Sequence, residues 1–112
     1  MTEDFPALRN ELRQGYRDLM QAIPDQMKGF GDLHRAAVKD GALPQATKEL
    51  MAVAIAICTR CDDCITLHMH DAIRAGATPE MVHEAIGVAL MGGGPASTYA
   101  THAMRALAQF SA

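Results

Sequence analysis

The stretch Glu49-Leu-Met-Ala-Val-Ala-Ile-Ala-Ile-Cys58-Thr-Arg-Cys61-Asp-Asp-Cys64-Ile-Thr-Leu-His68 decides the fold. From Leu50 to Ile57 every side chain is apolar, with neither a period of two nor a turn residue. The segment therefore reads as the core of a helix beginning near Pro44, apolar on every side and largely buried. The Cys61 to Cys64 segment opens the next helix, which runs through Ile65, Leu67, Met69, Ala72 and Ile73 and stops at Gly76.

The flanking sequence extends the same pattern. Between Phe5 and Ile23, Leu8, Leu12, Tyr16, Leu19, Met20 and Ile23 recur at spacings of three and four, with Asp4 placed to cap and Pro6 tolerated in the first turn. Pro24 opens a second helix containing Met27, Phe30, Leu33, Ala37 and Val38, interrupted by Gly29 and Gly31 and stopped by Gly41. On the other side, Thr78-Pro79-Glu80 is an N-cap followed by proline, opening a fifth helix through Met81, Val82, Ala85, Ile86, Val88 and Leu90 that ends at Gly92-Gly93-Gly94-Pro95. A sixth runs from about Ala96 to Gln109. No internal repeat or low-complexity linker divides the chain, so the expectation is an all-α fold of six helices forming one domain over residues 1–112. The fourth helix carries more apolar surface than a chain of 112 residues can cover, which predicts a homo-oligomer.

Composition removes several classes of function. Net charge is −3 and the basic residues never cluster as a phosphate backbone requires, so nucleic acid is not an expected partner. The acidic start, Met1-Thr-Glu-Asp-Phe-Pro6, lacks the apolar run of a signal peptide, and no window is apolar for long enough to span a membrane. The expected location is the cytoplasm. In a reducing compartment the closely spaced Cys58, Cys61 and Cys64 are not a structural disulfide framework, which leaves redox chemistry or metal binding.

On a helix, residues 61, 64 and 68 fall on one face, so two thiols and an imidazole share a small volume. Near the helix start, unpaired amides favour a thiolate, and the two-residue spacing brings both sulfurs toward disulfide distance. That reasoning alone favours Cys61 as the thiolate. His68 is placed to relay the thiol proton, and Glu49, carried inward if its helix packs antiparallel, is the candidate to orient it.

These residues and their spacing resemble the AhpD-like alkylhydroperoxidases, the carboxymuconolactone decarboxylase family. The likeness lies in Glu49, Cys61, Cys64 and His68, in His68-Met-His-Asp-Ala-Ile-Arg-Ala-Gly-Ala-Thr-Pro-Glu80 and in Gly92-Gly93-Gly94-Pro95, covering about residues 43 to 108. It implies an all-helical fold assembled as a homotrimer or homohexamer, with Glu49 acting through His68 on the cysteine pair. It further implies a peroxidase in which Cys64 attacks a hydroperoxide and Cys61 resolves it; the expected substrate is an organic hydroperoxide or a disulfide partner, with an external thiol as reductant and no metal or cofactor. Two positions depart from the pattern. Asp63 stands where some relatives have histidine, and Cys58 is additional.

Other readings weigh the same residues differently. Cys58, Cys61, Cys64 and His68 resemble a zinc or iron-sulfur ligand run, but ligands along one straight helix cannot surround an ion. A decarboxylase or isomerase acting on a lactone would fit the family and would not need two thiols. A non-catalytic oligomeric binding protein would carry a vestigial pair. Cys58 reads as a buried small residue, His70 as solvated or at a subunit contact, and His34, His83 and His102 as surface residues. The methionines read as core and interface filler, and the triple glycine as a helix stop rather than a phosphate loop.

Overall fold

The computed structural model describes residues 3–112; Met1 and Thr2, which open the acidic N-terminal stretch, lie outside them. Among the described residues the elements are α1 (Phe5–Ala22), α2 (Pro24–Val38), α3 (Gln45–Cys58), α4 (Asp62–Arg74), α5 (Pro79–Ala89), a single 3-10 turn (Leu90–Gly92) and α6 (Gly94–Phe110). All are helical, as the periodicity predicts, and no helix is long and apolar enough to cross a membrane.

The α3–α4 hairpin is the centre of the fold, with α1 and α6 packed on α4 and α5 on α3. Its turn explains how the cysteines are presented. The amide of Arg60 donates to the Ile57 carbonyl (3.2 Å) and that of Cys61 to the Ala56 carbonyl (3.0 Å). This is a Schellman closure of α3, and it requires Arg60 in the left-handed region at φ 56°. Cys61 is thus the last residue of one closure and the N-cap of the next helix, its Sγ accepting from the Cys64 amide at 3.1 Å. Helix α4 ends by the same motif with glycine in the special position: Gly76 has φ 103°, and Ala77 N–H reaches the Ala72 carbonyl at 2.9 Å.

The buried core comprises Leu50, Val53, Ala56 and Ile57 of α3, Ile65, Met69 and Ala72 of α4, Val82 and Ile86 of α5, and Phe5. Ala96, Ala100, Ala103 and Ala106 recur at helical spacing on α6, and their small side chains let that helix approach closely. The start of α1 is tied down at both ends of one residue. Phe5 N–H donates to Gln109 Oε1 (2.7 Å), and its carbonyl accepts from Thr66 Oγ1 (2.6 Å).

Several expectations are corrected. Helix α2 is continuous through Gly29 and Gly31, and it ends at Val38 rather than at Gly41, because Lys39 is already extended (ψ 153°). Helix α5 ends at Ala89, ahead of the glycines; Gly93 at φ 94° makes the corner into α6, which starts two residues earlier than expected. Helix α3 is buried on only one side, since Met51 and Ile55 are 51% and 62% exposed. The uncovered apolar surface is spread over α1, α2, α3, α5, the 3-10 turn and Met104 of α6 rather than concentrated on α4, whose apolar residues face α1, α3 and α6. Cys58 is exposed, not buried, although its Sγ lies 3.5 Å from the Ala89 carbonyl.

Candidate functional site

Cys61 and Cys64 are joined by a disulfide at the head of α4, their Cα atoms 5.2 Å apart. Cys61 occupies the N-cap and Cys64 the first turn, so both are fixed by the start of the helix rather than by a loop. One turn further on, His68 faces α3, and there its Nδ1 meets Glu49 Oε1 at 2.8 Å. The hairpin dictates this meeting. Glu49 lies nine residues before the end of α3 and His68 six after the start of α4, so antiparallel packing brings them to similar depth at ~1.5 Å per residue.

The two partners differ in environment. Glu49 is 1% exposed, whereas the His68 side chain is 20% exposed. A carboxylate at that depth costs several kcal/mol unless it is paired, and the imidazole is its pair. With Glu49 as the carboxylate, Nδ1–H donates and the other ring nitrogen is left to accept a proton. Among the described residues, Glu49 Oε2 is buried without a hydrogen-bond partner.

A cavity of about 350 Å³ opens beside the pair, lined by Cys64, Leu67, His68 and Asp71 of α4, Tyr16 and Met20 of α1, and Met27, Phe30, Gly31 and His34 of α2. Cys64 reaches this cavity and Cys61 is not among its lining residues. His34 is half-buried, not a surface residue, and its ring centroid is 5.7 Å from that of His68. One donor atom from each of His34, Glu49 and His68 lies within 4.8 Å of the others. The periodic pattern contained the signal for His34: Met27, Phe30 and His34 follow helical spacing and share the α2 face that lines the cavity.

On the opposite side of the α4 start, His102 Nδ1 lies 2.6 Å from Asp62 Oδ1, and the Tyr99 ring stacks on His102 with centroids 4.3 Å apart. His102 is therefore also half-buried and engaged, a pairing across forty positions that spacing cannot reveal. Asp63 points to solvent, where with Asp62 it complements the positive end of the helix. His70 is half-buried, paired with Asp71 (2.9 Å) and edge-on to Phe110. His83 is exposed, as expected. A second, more polar cavity of about 460 Å³ is lined by Arg9, Gln45, His70, Asp71 and Arg74. There, partial burial and the neighbouring Arg13 lower the pKa of Arg9.

Residues 24–106 match the model of the carboxymuconolactone decarboxylase family. The whole chain aligns with an uncharacterised protein of Cupriavidus necator at 42% identity, covering 97% of that relative. Among solved structures, a carboxymuconolactone decarboxylase family protein of Legionella pneumophila superposes with a TM-score of 0.93 at 38% identity, over 96% of this chain and 97% of that one. A family member from Thermotoga maritima, for which a part in the antioxidative response has been suggested, has a TM-score of 0.82 at 29% identity, over 92% and 89% of the two chains. With the fold, the cysteine pair and these likenesses in agreement, the chain belongs to the carboxymuconolactone decarboxylase family.

Proposed function

We propose that this chain is a thiol-dependent hydroperoxidase, acting as one six-helix domain that cycles Cys61 and Cys64 between dithiol and disulfide. The observation that carries the reading is the Cys61–Cys64 bridge at the head of α4, with the buried Glu49–His68 pair one turn away. In the reduced state His68 accepts the Cys64 thiol proton while Glu49 fixes the imidazole. The thiolate attacks the outer oxygen of a hydroperoxide, the O–O bond breaks, and the departing alkoxide takes a proton and leaves as alcohol. Cys64 is then a sulfenic acid. The Cys61 thiol attacks its sulfur, water leaves, and the disulfide forms. An external dithiol supplies the two electrons and two protons that reset the pair.

Cys64 is assigned as the nucleophile because it lines the cavity, and the apolar contributions of Tyr16, Met20, Met27, Phe30 and Leu67 suit an organic hydroperoxide. Cys61 suits the resolving and leaving role, because the Cys64 amide on its Sγ stabilises the thiolate released when the reductant attacks Cys64. Such a cycle belongs in a reducing compartment such as the cytoplasm. The suggested antioxidative part of the Thermotoga relative is consistent with it. The family's name also covers lactone chemistry, but that reaction has no use for the second thiol.

Free thiols counted before and after one equivalent of tert-butyl hydroperoxide, in a Cys58→Ala background, test the reading. The expected result is rapid loss of both remaining thiols into a mapped Cys61–Cys64 bridge, with Cys61→Ser halting at a trappable sulfenic acid on Cys64. A Cys64→Ser protein with full peroxidase turnover would remove the proposal.

A further inference from the structure

We infer that His34, Glu49 and His68 form a binding site for one divalent transition-metal ion of the zinc class, bridging α2 to the α3–α4 hairpin. Glu49 carries the argument. Its Oε1 is engaged by His68, but its Oε2 is buried and meets no donor among the described residues. An unmet acceptor at such depth bears its desolvation penalty without recompense, and more heavily if charged, so its retention points to a ligand. The third member comes from a helix that has no packing need for it: α2 buries none of its residues, yet it presents His34 to the cavity beside His68.

The donor set selects the ion. Two imidazoles and one carboxylate form the three-ligand arrangement of open zinc sites, whereas magnesium and calcium prefer oxygen ligands throughout. A tetrahedral ion with bonds of about 2.0–2.2 Å holds its donors roughly 3.4 Å apart. Glu49 and His68 are already 2.8 Å apart, and all three donors lie within 4.8 Å, so closure requires side-chain rotation and a small approach of α2. The fourth position faces the cavity into which Cys64 projects, where it can take a water or, once the disulfide is reduced, the Cys64 thiolate.

A bound ion would occupy the carboxylate and imidazole of the proton relay, so metal occupancy and peroxide turnover would exclude each other. That regulatory consequence rests on the peroxidase reading; the site itself does not.

Calorimetric titration of the tag-free, disulfide-bonded protein with Zn²⁺ tests the site, together with amide hydrogen exchange. The expected result is one ion per chain, with affinity weakened by more than about tenfold in both His34→Ala and Glu49→Gln but unchanged in His83→Ala, which removes an exposed imidazole. Exchange across residues 24–38 should slow when the ion binds, because His34 ties α2 to the hairpin. His34→Gln replaces His34→Ala should circular dichroism show the latter unfolded. Absence of saturable micromolar binding, or equal binding by the parent and the His34 variant, would overturn the site. Neither readout depends on turnover, so failure of the peroxidase reading would leave the site standing, and the reverse.

Discussion

Glu49 and His68 are bound by an asymmetry of burial that sets what each substitution does. Removing the imidazole leaves a carboxylate that is 1% exposed with no partner, whereas removing the carboxylate leaves an imidazole that still reaches solvent. His68→Ala is therefore expected to cost about 3–5 kcal/mol. Glu49→Gln should cost about 1 kcal/mol, since an amide oxygen can still accept from Nδ1–H. A His68→Ala, Glu49→Leu double variant should recover most of the larger loss. Urea unfolding of the disulfide form in chelator checks this, and a His68→Ala cost below that of Glu49→Gln would show that the pair does not bear the burial of Glu49. At this scale, the sequence made legible whatever lies along one helix or across one hairpin. Cys61, Cys64 and His68 share a face by spacing, and the apolar run behind Glu49 implied that it turns inward. His34 and His102, whose spacing reads as surface, are half-buried. Each is drawn into place by a helix remote in sequence, which only tertiary packing can specify.

Helix type was legible almost everywhere, and helix ends only where the chain uses the residues that geometry favours. Asp4 caps α1 by accepting the Ala7 amide, and Thr78 caps α5 by accepting the Met81 amide, as their positions predicted. The end of α3 carried no such mark, because the left-handed position of its closure is filled by Arg60 instead of glycine. The equivalent position at the end of α4 is Gly76. The two closures share their hydrogen-bond pattern, so they form an internal comparison. A non-glycine residue in the left-handed region costs about 1–2 kcal/mol, offset in part by the extra freedom glycine gives the unfolded chain. Arg60→Gly should thus stabilise the protein by about 0.5–1 kcal/mol, and Gly76→Arg should destabilise it by a similar amount or more. Denaturant midpoints measured with the disulfide intact decide the matter. A destabilised Arg60→Gly protein would mean that the arginine side chain contributes more to this turn than its backbone strain costs.

The molecule as a whole has more apolar helix surface than its own elements can cover. An all-round apolar α3 suggested full burial, but a chain of 112 residues packs α4, α5 and α6 against one side and leaves Met51 and Ile55 outward. Val88 of α5 is 64% exposed beside them, and a shallow groove lined by Leu50, Met51, Ala54, Met81 and Val88 runs between the two helices. The expected homotrimer or homohexamer would account for this surface, since fully burying each such side chain contributes about 1.5–3 kcal/mol. A charge at the centre of that face should oppose association, because a carboxylate buried there without a partner is costly. A Met51→Glu, Ile55→Glu double variant is therefore expected to elute as a 12.0 kDa monomer with its helical content intact, while the parent scatters light as a multiple of three chains. If the parent is itself monomeric, the exposed α3–α5 face is not a self-association surface and the trimer or hexamer expectation fails. If the parent is oligomeric and the variant remains so, assembly uses another face, with the exposed Phe30 and Leu33 of α2 the next residues to charge.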